Sequence, residues 1–404
     1  MSFFSFLREN FRWVFAGFLL CLFSAFGQTY FIALSGGEIR AEYGLSNGEF
    51  GGLYMGATLA SAMVLPFVGR IVDYLSVSRT VAITVPMLAL ACILMATSSG
   101  VVMLGLTLFL LRLFGQGMMT HISLTAMGRW FTGQRGRAVS LATLGMQAGE
   151  GTFPILMVSL FALIGWRHSW LASAATLMIV ALPAIFFLMR QERQPRSTDM
   201  PERRSAARHW TRGEVLRDPL FWLSVTGVLA PAFIGTTIFF HQAWLVEIRG
   251  WEPQAFASAF TLLAAMTICF VLVGGQLIDT FGAISLLPVF LLPLAAGCFV
   301  LAYFDSEWAI FAFMGLMGIG YGLSSTLFGA LWPEVYGTEH LGSVRSFIVA
   351  LMVLSSALGP GITGWLIDLG VYYPHQIAVM GLYSLAASAI MLFVSRRFAA
   401  RAAA

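Results

Sequence analysis

Apolar residues run along this chain in long stretches, with no period-two alternation inside them. Twelve stretches lie near residues 12–36, 49–72, 79–98, 101–127, 137–164, 168–190, 219–246, 254–278, 283–303, 307–331, 343–367 and 374–395. Each is about the twenty residues that a helix needs to cross the hydrocarbon core. Without water, backbone N–H and C=O groups must be satisfied inside the segment or in a closed barrel, and a barrel needs alternation. The pattern therefore predicts an all-α membrane protein with twelve transmembrane helices, called spans 1 to 12. Short polar turns join them, except for one long polar segment at 191–218.

That long segment divides two similar halves. Sliding the sequence against itself by 206 residues aligns Gly44 with Gly250, Phe50 with Phe256, Gly69 with Gly275 and Asp73 with Asp279. Further along, Gly136 meets Gly342, Ser140 meets Ser346 and Pro154 meets Pro360. Each pair occupies the same place in spans 1–5 and 7–11, as expected for parallel internal repeats of a transporter. The predicted organisation is an N-terminal six-helix bundle (1–190), a cytoplasmic linker (191–218) and a C-terminal six-helix bundle (219–404).

Composition agrees with a lipid environment. Hydrophobic residues make up 58% and charged residues 10%, against about 25% charged in soluble domains. All 23 basic residues are arginine, and nineteen of them fall on one side of the twelve-span arrangement. The excess of positive charge inside places both termini and the central linker in the cytoplasm. The first span reads as a retained helix rather than a signal peptide. The linker also holds Glu192, Asp199, Glu202 and Glu214, so it reads as a solvated segment with some lipid-headgroup contact, not a nucleic-acid patch. Cys21, Cys92, Cys269 and Cys298 lie within apolar spans and read as small hydrophobes. Trp166, Trp170, Trp244 and Trp251 fall near span ends, as interfacial anchors do. No Walker loop, His-x-x-x-His zinc pair or nucleophile elbow is present. The expectation is a non-enzyme without cofactor or metal. The all-arginine complement and short loops suggest a bacterial inner membrane, and the protein is expected to act as a monomer.

Gly69-x-x-x-Asp73 closes span 2 at the cytoplasmic face, and Gly275-x-x-x-Asp279 closes span 8. A glycine there permits close helix approach, and a carboxylate can pair with the positive start of a facing helix. The repetition favours a gating latch over two solvated aspartates. The first copy, Gly69-Arg-Ile-Val-Asp73-Tyr-Leu-Ser-Val-Ser-Arg79, is similar to the loop motif of the major facilitator superfamily, with Tyr74, Ser76 and Val77 replacing its usual Arg, Gly and Arg. The second copy keeps Gly275, Asp279 and Gly282. Arg112-Leu-Phe-Gly115-Gln-Gly117 resembles the superfamily's span-4 pattern. The resemblance covers the whole chain and implies two pseudo-symmetric six-helix bundles that alternate access to a central cavity.

A finer likeness runs through Gly115-Gln-Gly117, Arg129-Trp-Phe131, Arg135-Gly136-Arg137-Ala138, Gly145, Gly149 and Pro154. It resembles the monocarboxylate porter and oxalate–formate antiporter branch, which implies small organic anions carried with a proton. Members of that branch commonly use a lysine in span 1 or 11, or an Asp/Arg pair in span 8. This chain has no lysine and an uncharged span 8, so those roles are not carried over.

Ionisable groups in a membrane span are expensive and ask for a reason. Arg112 and Glu150 lie at matching depth on the span 4–span 5 hairpin, which turns near 131–133, so they are expected to pair. Arg112 is then the candidate substrate-anion contact and Glu150 the proton-coupling group; the alternative is a purely structural pair. His121 is a further candidate for proton coupling, and His241, beside Gln242, for relay or substrate binding. Either can instead bond a carbonyl across a helix contact. In the superfamily fold, spans 1, 4, 7 and 10 line the cavity, which implies Gln28, Tyr30, Tyr321, Ser324 and Ser325 as neutral substrate contacts. The leading reading is a proton-coupled secondary transporter of a monocarboxylate-like anion. Its rivals are a proton-coupled exporter of drugs or metabolites, drawn from Gly145, Gly149, Gly151 and Pro154, and a membrane sensor built on a transporter scaffold.

Overall fold

The computed structural model describes residues 3–131, 134–193, 210–337 and 340–403. The span 4–5 turn at Thr132 and Gly133 and linker residues 194–209 lie outside the described residues, as do the surroundings of Gly136 and Gly342 and the side chain of Ser346. Every regular element among the described residues is helical. Eleven helices are long and apolar enough to cross a membrane, beginning with Phe6–Gly27 and ending with Tyr373–Arg401. The twelfth expected span, span 9, is broken. Its helix Ala283–Leu286 gives way to a turn, and only Leu292–Tyr303 continues as a regular helix. Pro288, inside the turn, removes a helical donor there, whereas Pro293 takes the second position of the resumed helix, where its missing N–H costs no intrahelical bond.

The chain forms two compact units: Met1–Leu45 with Leu53–Arg203, and Ser46–Gly52 with Arg204–Ala404. The start of span 2 thus belongs to the second unit. There Ser46 and Glu49 form a reciprocal cap, Ser46 N–H donating to Glu49 Oε2 and Glu49 N–H to Ser46 Oγ. Asp368, at the end of span 11, accepts from Ser46 Oγ at 2.6 Å and from Gly48 N–H at 2.8 Å. Orphan donors of a helix start are satisfied in this way.

Within each unit the repeat shows in the element boundaries. Helix Gly36–Tyr43 ends at Gly44 with φ 63°, and helix Gln242–Arg249, the same bounds moved by 206, ends at Gly250 with φ 64°. That left-handed C-cap is the conformation glycine tolerates best. Pro154 sits inside helix Arg135–Ile164 and Pro360 inside helix Leu341–Asp368. Val77 N–H, opening span 3, donates to Glu192 at 2.8 Å; Ala283 N–H, its repeat mate opening span 9, donates to Glu334 at 3.0 Å. One position thus takes a glutamate cap from two different sources. An arginine beyond the sixth span folds back in both units. Arg193 bonds Asn10 and the Trp130 carbonyl, whereas Arg401 grips the Asp218 carboxylate beside Tyr336.

Candidate functional site

Span 1 does not remain a single helix. Its α-helix Phe3–Phe23 tightens into a 3-10 turn, Ser24–Gly27, and Gln28 is extended at φ −82°, ψ 151° before Thr29–Ile32 resumes. Span 4 also departs from α geometry, with a π-helical run, Leu111–Met119, between Val101–Leu110 and Thr120–Trp130. The two irregularities meet. A Cβ on Gly27 would lie 2.2 Å from Leu111 O and 2.6 Å from Gly115 Cα, and one on Gly115 would lie 2.5 Å from Gly27 Cα. Only two glycines allow these backbones to touch. Non-helical backbone at membrane depth is tolerated where protein covers it or where it lines a cavity, and broken helices recur at transporter binding sites.

Arg112 serves this junction. It is 1% exposed, and its Nη1 donates to Gly27 O at 3.1 Å and to Thr29 Oγ1 at 3.3 Å. Thr29 Oγ1 lies 2.6 Å from Tyr54 Oη, and the guanidinium carbon stands 5.4 Å from the centre of the Tyr54 ring. Arg112 Nε has no partner among the described residues. The expected Arg112–Glu150 ion pair is not formed: Arg112 bonds span 1 instead, and neither residue appears in an ion pair among the described residues. The reason is geometric. Each π turn carries an extra residue, so a register counted at 3.6 residues per turn points Arg112 the wrong way.

Glu150 is half-buried, and its electrostatic neighbour is the buried Tyr30. Gln28, at the extended break, donates to Ser24 Oγ at 3.4 Å. In the first unit, Arg112 thus meets the span 1 break next to Gln28 and Tyr30, and Tyr30 lies within electrostatic reach of Glu150 on span 5. Sequence reasoning missed Gly27, Thr29 and Tyr54. The available signal was a Gly-Gln-Thr interruption in an otherwise apolar run.

The remaining candidates have more ordinary surroundings. His121 packs against Gly69, where an added Cβ would stand 3.2 Å from its Nε2. Asp73 pairs with Arg129, which closes span 4 and also donates to Val72 O at 2.9 Å. In the second unit, His241 Nε2 bonds Pro360 O at 2.9 Å, the carbonyl contact weighed above. Ser324 returns its hydroxyl to Gly320 O at 2.7 Å, and Ser325 is exposed. Tyr321 OH reaches Pro231 O at 3.5 Å. The close-approach role expected of Gly275 falls to its neighbour. A Cβ on Gly275 meets open space, but one on Gly274 would lie 2.5 Å from Thr326 Oγ1. Asp279 is exposed and in no ion pair among the described residues. Trp170 and Trp251 are not lipid anchors; both are buried, and Trp170 donates to Ser35 Oγ at 2.9 Å. An apolar cavity of about 370 Å³ lies among spans 7, 11 and 12. The hydroxyls on its wall, Ser355 and Tyr383, already donate to span-7 carbonyls, so it offers a solute no free polar anchor.

The sequence matches the family model described as Major Facilitator Superfamily over residues 16–360 and again over 239–403. It is 23% identical over 307 residues to the Riboflavin transporter MCH5 of Saccharomyces cerevisiae, covering 70% of this chain and 58% of that protein. It is 22% identical over 410 residues to Monocarboxylate transporter 14 of Mus musculus, covering 82% of this chain and 78% of that one. Among solved structures, a bacterial homolog of the human lysosomal transporter Spinster, inward-facing and unoccupied, superposes with a TM-score of 0.69 at 17% identity, covering 96% of this chain and 97% of the other. The inward-facing, occupied form of that homolog gives 0.66 at 18% identity, with 95% of each chain covered.

Proposed function

The chain belongs to the Major Facilitator Superfamily, and from that premise, a secondary transporter of small solutes, we propose that it carries a small monocarboxylate-like anion coupled to protons. One observation carries the reading. Arg112 is buried within a span and, among the described residues, has no carboxylate partner and keeps Nε unbonded. A lone cation at membrane depth is unfavourable by about 2.5–3.5 kcal/mol on the mildest scale. A substrate carboxylate offers what is missing: negative charge and acceptors for a planar donor fork. Similarity to a protein named as a monocarboxylate transporter supports the anion class.

Glu150 supplies the proton step. A carboxylate outside any ion pair among the described residues can take up a proton without breaking a salt bridge, and Tyr30 of span 1 lies within its electrostatic reach. Gln28 and Tyr30 give neutral contacts near Arg112. Tyr321, Ser324 and His241 are the corresponding candidates in the second unit. His121 stays a secondary proton candidate, and Gly69–Asp73, with its Arg129 partner, the gating candidate. The glycines that suggested an exporter have a packing explanation: a Cβ on Gly145 would lie 2.0 Å from Phe18 O, and one on Gly149 would lie 2.8 Å from Leu22 O. The working topology is a monomer in a bacterial inner membrane with both termini cytoplasmic.

The test is uptake of labelled acetate, lactate, pyruvate and oxalate into proteoliposomes, with and without an inward proton gradient. Arg112→Gln should abolish saturable anion uptake in well-folded protein. Glu150→Gln should lose gradient-driven accumulation but keep anion exchange. Proton-driven accumulation by Glu150→Gln would reject the coupling role, and anion uptake by Arg112→Gln would reject the substrate role.

A further inference from the structure

Three side chains from three spans lock together at the Arg112 junction, and two of them, Thr29 and Tyr54, have no role assigned so far. Tyr54, from span 2, is 0% exposed. Its ring lies against the Arg112 guanidinium and its hydroxyl is 2.6 Å from Thr29 Oγ1. Thr29 is the side-chain acceptor that occupies Arg112. A threonine hydroxyl has one proton and two lone pairs. Arg112 takes one lone pair, and the contact with Tyr54 uses either the other lone pair or the proton. In both cases Thr29 is pinned on the cation.

We propose that Tyr54 is a positioning residue that holds Thr29 over Arg112 and so sets the threshold an incoming anion must exceed. This deepens, and rests on, the assignment of Arg112 to the substrate anion. Thr29 is a neutral surrogate for the substrate's oxygen. A carboxylate that takes the Nη1 side of the guanidinium, where Thr29 sits, makes a charge-assisted bond roughly twice as strong as a neutral one, so it displaces the hydroxyl there, but only by also breaking the Thr29–Tyr54 bond. A neutral solute gains too little to do so. Tyr54 therefore adds selectivity for charge, at the expense of affinity.

The consequence is an affinity gain on removing a hydrogen bond. Tyr54→Phe keeps the ring over the cation and frees Thr29. Uptake of the labelled carboxylate that depends on Arg112 should show KM lowered about fivefold, the worth of one neutral hydrogen bond, with kcat unchanged or reduced. Thr29→Val, which removes the surrogate itself, should move KM the same way and carries the test if Tyr54→Phe does not fold. A ligand-free measurement separates this claim from the one beneath it. Phenylglyoxal labels accessible guanidinium groups, and peptide mass spectrometry reads the rate at Arg112 against the exposed Arg70 in the same sample. Wild-type Arg112 should be protected, and Tyr54→Phe should raise its relative rate about fivefold. A purely structural Tyr54 would reduce thermal stability and transport without lowering KM. An unchanged or raised KM with an unchanged Arg112 labelling rate overturns the proposal. If Arg112→Gln still binds the anion while Tyr54→Phe exposes Arg112, the substrate assignment fails and the cover remains.

Discussion

Gly27→Ala should be among the most damaging single-methyl changes in the chain. The added Cβ would stand 2.2 Å from Leu111 O, where ordinary contact begins near 3.4 Å. The span 1 and span 4 backbones would have to part by about 1 Å, because neither obstacle is the end of a flexible side chain. Overpacking of this kind costs typically 1–3 kcal/mol. Parting the backbones also stretches the Arg112–Gly27 bond, a hydrogen bond to a charged group worth about 1.5–3 kcal/mol. The two add to about 2.5–6 kcal/mol, and a loss of about 3 kcal/mol after partial relaxation lowers the melting temperature of a unit this size by roughly 6–12 °C. The assay is thermal unfolding in detergent followed by fluorescence-detected size exclusion. Gly275→Ala is the control, since its Cβ meets open space, and it should melt within about 2 °C of wild type. Equal melting of the two variants would refute the close-contact reasoning, because they add the same methyl to the same residue type.

The acid side of the stability profile should depend on Asp218, at the start of span 7. Burial pushes its carboxyl up, but the Arg401 guanidinium, the Leu220 N–H and the Tyr336 hydroxyl outweigh burial and hold it below the usual carboxylate value. A depressed folded-state value means stability that is complete above about pH 4 and lost as pH falls through the lower folded value. Asp218→Asn should therefore melt lower at pH 7 and converge with wild type toward pH 3; a constant gap across that range would contradict the linkage. For topology, alkaline phosphatase fused after the last residue should be inactive and a fluorescent protein there should be bright, and active phosphatase would overturn the cytoplasmic C-terminus.

Much of the architecture was legible in the chain because hydropathy is a local, additive property. Eleven of the twelve apolar stretches hold helices long enough to cross a membrane among the described residues, and the twelfth, span 9, is helical but interrupted around Pro288. The 206-residue repeat was legible for the same reason: a left-handed C-cap at Gly44 and Gly250 is a backbone requirement of one position. Arg112 could also be singled out, since a charge in an apolar run is visible without a structure. Its partner could not. Which way a side chain points depends on helix phase, and phase changes when span 1 breaks at Gln28 and span 4 takes π turns at Leu111–Met119. One residue of phase likewise separates Gly275, which faces open space, from Gly274, which meets span 10. The sequence by itself determined the solvent, the approximate number of spans, the repeat and the presence of a buried charge. Only the tertiary structure decided that this charge meets Gly27, Thr29 and Tyr54 rather than Glu150, because contacts between helices follow rotation and broken turns that no count along the chain preserves.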